Sequence, residues 1–127
     1  MERKMTRQIT VGNIAVGGDS PVSIQSMLNT RNGDIAAALE QTRRLKEAGC
    51  EIVRLAVTDE ESIKVVRELK RSVDIPLVAD IQFDYRLALA AIEAGIDKVR
   101  LNPGNIGSDE RVREVVRKAQ SYRVPIR

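Results

Sequence analysis

Short apolar runs and amphipathic stretches alternate along this chain. Gln8–Val11 and Ile14–Val16 flank Gly12-Asn13, a two-residue turn signal between short strands. Residues 1–20 are therefore expected to form a small β-hairpin ending at Gly17-Gly18. Val22–Met27, behind Pro21, has the composition of a first strand in the main body. From Asp34, which can cap a helix, apolar or small positions recur at helical spacing (Ile35, Ala38, Leu39, Thr42, Leu45, Ala48) until Gly49. Glu51–Val57 is a second strand. Thr58 and Glu61 have the spacing of a capping box for a helix that carries Ile63, Val66 and Leu69 on one face. Its opposite face, Lys64, Arg67, Glu68, Lys70 and Arg71, is expected to be solvated. Pro76 opens a third strand ending near Ile81, and a short helix over 84–94 stops at Gly95. Asp97–Leu101 is a fourth strand, and Asn102–Gly107 a turn. The last helix runs over Asp109–Ser121 with Val112, Val115, Val116 and Ala119 inward. Val124–Arg127 begins a fifth strand.

The chain also echoes itself. AGCEIVRL from Ala48 matches AGIDKVRL from Ala94, and Ile75-Pro76-Leu77 resembles Val124-Pro125-Ile126. Strands recur about every 21 to 27 residues, each followed by a helix, which is the period of a (β/α)8 barrel whose full ring takes about 250 residues. The expected fold is thus α/β: the N-terminal half of a TIM barrel over 21–127, with about four βα units and the start of a fifth strand, behind the hairpin. An open parallel sheet of this kind leaves edges unpaired and one face without helices. Such a half-barrel is expected to be marginal alone, to self-associate, or to lean on a further half.

Composition narrows the chemistry. Twenty-one Lys and Arg against eighteen Asp and Glu give a net charge of +3, a mild bias toward anionic ligands. Three aromatic residues leave little to stack on bases, so nucleic acid is not an expected partner. There is no histidine, the commonest general base and metal ligand, and Cys50 is the single cysteine. No apolar run approaches the roughly 18 residues that span a bilayer, and no apolar segment follows the charged start MERKMTRQIT. A cytoplasmic location, with no membrane partner, is the expectation.

The candidate chemistry lies at strand ends. Arg54 and Arg100 hold equivalent places in the echoed units, on the second and fourth strands, and alternate strands of a barrel feed one layer of its interior. Two guanidiniums at one level suit phosphate, since each planar fork donates two parallel hydrogen bonds. Asn102 follows two residues on, beside Pro103-Gly104-Asn105, whose backbone N–H groups could line an anion. On the third strand, Asp80 and Gln82 are expected to share a face, where Asp80 could orient an arginine, accept from a hydroxyl or move a proton. Gln25 and Ser26 point to opposite faces of the first strand, in either order. An Arg–Asp pair also serves merely to fix strand register, and NPG is common loop punctuation. Gln8, Arg31, Lys46 and the run Arg111, Arg113, Arg117, Lys118 are expected to be solvated surface.

VSIQSMLNT, VADIQFDYRLAL, VRLNPGNIG and the closing VPIR resemble the N-terminal half of the 4-hydroxy-3-methylbut-2-enyl diphosphate synthase family, of the non-mevalonate isoprenoid pathway. The likeness implies a (β/α)8 barrel followed by a smaller domain with a [4Fe–4S] cluster. It also implies reductive opening of 2-C-methyl-D-erythritol 2,4-cyclodiphosphate, with two electrons from flavodoxin or ferredoxin. In the family, barrel-top polar groups hold the cyclic diphosphate while the cluster of a partner protomer in a homodimer covers it. The matching positions here are Arg54, Asp80, Arg100 and Asn102, and the likeness adds Arg127 as a substrate-binding candidate. Asp80 and Gln82 are the catalytic candidates, and Gln82 is also a substrate-binding candidate.

Three departures qualify the likeness. The family's ADIHFDYR has histidine where this chain has Gln82, which can donate and accept a hydrogen bond but cannot carry charge near neutral pH. The usual SMTNT appears as Ser26-Met27-Leu28-Asn29-Thr30. Strands five to eight and the cluster domain are not in these residues, and Cys50 alone is no substitute for several cysteine ligands, so the chain itself is expected to hold no metal. One reading is a synthase fragment, inactive without its remainder. The alternative is a non-catalytic diphosphate-binding half-barrel that pairs with a copy of itself. Another phosphate-binding barrel enzyme, such as a pterin-pathway relative, is a third.

Overall fold

The apolar runs become parallel strands buried on both faces, because helices cover one side and a hairpin closes part of the other. A computed structural model describes residues 6–18, 20, 23–29, 34–82, 84–102 and 108–127. Its elements in chain order are β1 (Ile9–Val11), β2 (Ile14–Val16), β3 (Gln25–Met27), α1 (Ile35–Glu47), β4 (Ile52–Val57), α2 (Glu60–Ser72), β5 (Leu77–Ile81), α3 (Tyr85–Glu93), β6 (Lys98–Leu101) and α4 (Asp109–Tyr122). The main sheet is parallel in the order β3-β4-β5-β6. The closing residues add the start of a fifth strand: Ile126 bridges Val99 in parallel, and the Arg127 N–H donates to the Val99 carbonyl at 2.9 Å. This is the first half of a (β/α)8 barrel, with successive strands adjacent as the repeat implied.

Alternation sorts each strand into two faces. Val53, Leu55 and Val57 of β4, with Leu77, Ala79 and Ile81 of β5, join the core beneath the helices, where α2 contributes Ile63, Val66 and Leu69 and α3 contributes Leu87, Ala88, Ala91 and Ile92. Each fully buried aliphatic side chain there contributes about 1.5–3 kcal/mol. The other face is the barrel lumen. At its N-terminal end Ile52 and Val78 pack with Val11, Ile9, Ile14 and Val16 of the hairpin, forming a small second core. The hairpin turn fits tightly there. Gly12 has φ +58, and a Cβ on it would come within 2.9 Å of the Pro76 ring. Positive φ at the first central residue only is the pattern of a type II′ turn.

Helix ends follow local chemistry, and four details differ from the sequence expectations. Asp34, Asp84 and Ser108 cap α1, α3 and α4 by accepting from Ala37, Arg86 and Arg111 N–H groups. In α2 the N-cap is Asp59, which accepts from the Ser62 N–H at 2.9 Å and also from its hydroxyl; the motif lies one residue beyond the expected Thr58–Glu61 box. Val116 lies exposed on α4, because Val115 and Ala119 already fill the stripe facing the sheet. Charged side chains assigned to solvent also find partners. Lys70 pairs with Asp97 at 2.7 Å, Lys118 pairs with Glu93, and the Arg111 guanidinium lies 5.1 Å from the Tyr85 ring centroid. In the first strand, Gln25–Met27 pairs with β4, a shorter span than expected, and Pro21 and Val22 lie outside the described residues. Among the described residues no helix is long and apolar enough to cross a membrane.

Candidate functional site

Parallel register decides which side chains meet. Arg54 is level with Val78, and Val78 with Lys98, so these three share a rung and a face. Two residues further along, Ala56, Asp80 and Arg100 form the next rung on that face. Arg54 and Arg100 are thus not on one hydrogen-bonded rung, which refines the equal-level expectation. Strand tilt accounts for the offset. Closing eight strands with a shear of 8 lowers each successive partner by one residue, so a two-residue step across two strands returns Arg100 to the height of Arg54.

Both arginines reach the same carboxylate. Arg100 donates from Nη1 to Asp80 Oδ1 at 2.9 Å, and Arg54 Nε stands 4.0 Å from Oδ2. Asp80 is 3% exposed, whereas the Arg54 and Arg100 side chains keep 26% and 42% of their surfaces open. Arg54 also donates to the Met27 sulfur at 3.5 Å, a weak acceptor. Its Nε is buried with no hydrogen-bond partner among the described residues. A buried donor left unmade costs about 1–3 kcal/mol, so this guanidinium is incompletely satisfied by the protein.

The remaining candidates spread around this centre. Arg127 is exposed, and Ile126 pairs with Val99 on the helix side, so Arg127 belongs to the lumen face beside Arg100. Met27 is level with Arg54 and Gln25 with Ile52, which places Gln25 on the lumen face and Ser26 on the helix side. Asn102 is exposed one residue past β6; Pro103–Gly107, the expected anion-lining turn, lie outside the described residues, as does Arg31. Gln82 departs from expectation. It follows the end of β5 and lines a small cleft with Val57, Thr58, Asp84 and Leu87. Val57 and Leu87 belong to the helix-side core, so this cleft sits over the sheet's upper edge and not in the lumen with Asp80.

One lumen residue was not singled out from the sequence. Lys98 occupies the place that Ile52 holds in the echoed unit, and is half-buried. Burial, followed by repulsion from Arg127, holds its ammonium pKa below the ordinary lysine value. The signal was available: Lys98 stands two residues before Arg100, hence on the same face. Among the described residues, four cations (Arg54, Lys98, Arg100, Arg127) thus share a face with one carboxylate, Asp80.

The residues do not fit an iron–sulfur cluster. Cys50 is buried below the sheet, its thiol donating to the Ile52 carbonyl at 3.0 Å, and among the described residues no three His, Cys, Asp or Glu side chains are grouped to hold a metal. A [4Fe–4S] cluster needs about four cysteine ligands.

A family model described as the GcpE TIM-barrel domain matches residues 6–127. The chain belongs to the GcpE family. Its relatives include proteins named 4-hydroxy-3-methylbut-2-en-1-yl diphosphate synthase (flavodoxin). That of Caldanaerobacter subterraneus subsp. tengcongensis is 50% identical over 125 residues, covering 98% of this chain and 35% of that protein. That of Ruminiclostridium cellulolyticum is 52% identical over 127 residues, covering 100% and 36%. The chain therefore spans about a third of the length of the curated relatives it matches. Among solved structures it resembles dihydropteroate synthases of Xanthomonas albilineans (TM-score 0.60, 20% identity, 94% of this chain and 48% of that one) and Vibrio fischeri (TM-score 0.67, 15% identity, 95% and 48%). At those identities the likeness concerns the fold alone. It is the GcpE match, not the pterin-pathway neighbours, that assigns the family.

Proposed function

We propose that this chain supplies the diphosphate-binding half of the barrel in a 4-hydroxy-3-methylbut-2-en-1-yl diphosphate synthase. The ligand is the cyclic diphosphate 2-C-methyl-D-erythritol 2,4-cyclodiphosphate. The protein that carries the chain opens it reductively, in the cytoplasm, with electrons from flavodoxin, the donor printed in its relatives' names. The observation that carries this reading is the convergence of Arg54 and Arg100 on one buried carboxylate, with Arg54 Nε making no hydrogen bond among the described residues. Asp80 holds the two forks in place, and their remaining N–H groups are available to a doubly charged anion.

In this reading Arg54, Arg100 and Arg127 hold the phosphates, and Asn102 orients the ligand at the mouth. Gln82, past the strand end and outside the lumen, meets the ring in this reading only from the mouth, without a titrating role. Redox chemistry falls to groups these residues do not contain, and the chain's own part is to bind and orient. Titration calorimetry with the cyclic diphosphate tests it. Arg100→Ala is expected to weaken binding about 10- to 100-fold, the range for losing one bidentate charge-assisted contact, while Arg100→Lys recovers part of that loss. Equal affinity in wild type and Arg100→Ala would overturn the site.

A further inference from the structure

The three arginines do not account for all the charge on the lumen face. Lys98 shares a rung with Val78 and Arg54, one step nearer the hairpin than Asp80 and Arg100. Among the described residues its surroundings hold no counter-charge for it. On β5 it faces apolar Val78, and the next lumen residue, Asp80, is committed to Arg100 and Arg54. On β4 the facing group is Arg54, and on its own strand Arg100. The strand beginning at Ile126 brings Arg127, which is close enough to act on the ammonium. The hairpin offers apolar Ile9, Ile14 and Val16 to this end of the lumen. The carboxylate adjacent in sequence, Asp97, is on the opposite face, accepting from Lys70 and from the Leu77 N–H at 2.8 Å. Among the described residues the Lys98 ammonium makes no hydrogen bond and no ion pair.

A half-buried ammonium facing only other cations costs free energy that no described residue repays. An anion in the lumen would supply the missing charge to Lys98, Arg100 and Arg127 together. Resting on the diphosphate reading above, we propose that Lys98 is a fourth cation of the anion site, meeting a phosphate from below the Arg54–Asp80–Arg100 set and linking ligand binding to proton uptake. The linkage has a definite sign. Burial and Arg127 depress the ammonium pKa in the empty site, and a phosphate alongside raises it again. Between those two values the empty site is deprotonated and the filled site protonated. Binding at alkaline pH therefore takes up a proton, and affinity falls as pH rises through that window.

Calorimetric titration with inorganic pyrophosphate, in buffers of contrasting ionisation enthalpy, tests this. Three proteins are compared: wild type, Lys98→Met and Lys98→Arg. Arginine keeps the charge but does not titrate, so subtracting its proton balance removes the protons that pyrophosphate itself exchanges. The expected result is about tenfold weaker binding in Lys98→Met, near-native affinity in Lys98→Arg, and extra proton uptake at alkaline pH in wild type alone. If Lys98→Met fails to fold, the proton balance of wild type against Lys98→Arg decides. Wild type that binds pyrophosphate with the affinity of Lys98→Met and the proton balance of Lys98→Arg would overturn the role of Lys98 and leave the arginine site standing. Folded wild type that does not bind pyrophosphate at all would overturn both.

Discussion

Asp80 is what makes two arginines tolerable on a strand face. A guanidinium in a half-closed lumen needs acceptors, and a carboxylate at 3% exposure offers four lone-pair directions to two neighbours. Lys98 has no such neighbour among the described residues, and that difference is measurable as stability. Its pKa in the folded chain lies below the ordinary lysine value of 10.5, so between the two values the unfolded state holds more protons. Stability must then rise with pH across that window, other groups apart. Lys98→Met removes this rise and is expected to stabilise the protein at neutral pH by no more than about 1 kcal/mol, given the side chain's partial exposure. Urea midpoints of wild type and variant, compared at neutral and alkaline pH, check it. A variant less stable than wild type at neutral pH would contradict the assignment. Residue identity made Arg54, Asp80 and Arg100 legible, because a charge inside an apolar run is conspicuous. Lys98 was not, because it opens its run and looks like the preceding loop's last polar residue.

At the scale of elements, the hydrophobic period located every helix and strand among the described residues, while the caps were set by chemistry that spacing alone does not rank. Thr58 and Glu61 have capping-box spacing, yet Asp59 and Ser62 have it too, and the carboxylate accepts from both the N–H and the hydroxyl of Ser62. An ionised acceptor at the positive end of a helix is the stronger partner. Asp59→Ala is expected to cost about 0.5–2 kcal/mol, read from the shift in urea midpoint; no shift would return the cap to Thr58. The echo likewise predicted element ends. Gly49 and Gly95 have φ +100 and +98 after α1 and α3, and Arg123 takes the same left-handed conformation, φ +57, after α4. The turn geometry recurs although the glycine does not, so a reading based on glycine alone would miss the third junction. Gln82 illustrates the opposite limit. Period-2 alternation places it beside Asp80, but β5 ends at Ile81, and alternation carries no information past the last paired residue.

At the scale of the whole molecule, the sheet has β3 at one margin and the strand begun at Ile126 at the other, and the described helices pack on one face. Edge backbone groups on a flat margin seek other strands, and β3 leaves Met27 41% exposed beside Ile24 at 58%. The 127-residue chain on its own is expected to associate as its concentration rises. Sedimentation that shows only a 14.1 kDa species, with a sharp urea transition, would contradict this. The barrel repeat was legible because each unit carries its own copy of strand, helix and junction. The lumen site was less so, since it depends on stagger between strands that no single unit contains. The most direct measurement of the central claim is a crystal structure grown with inorganic pyrophosphate. The account expects the anion on the lumen face, within hydrogen-bonding distance of both Arg54 and Arg100. A lumen face empty at saturating pyrophosphate, or the two arginines on opposite faces of the sheet, would contradict it.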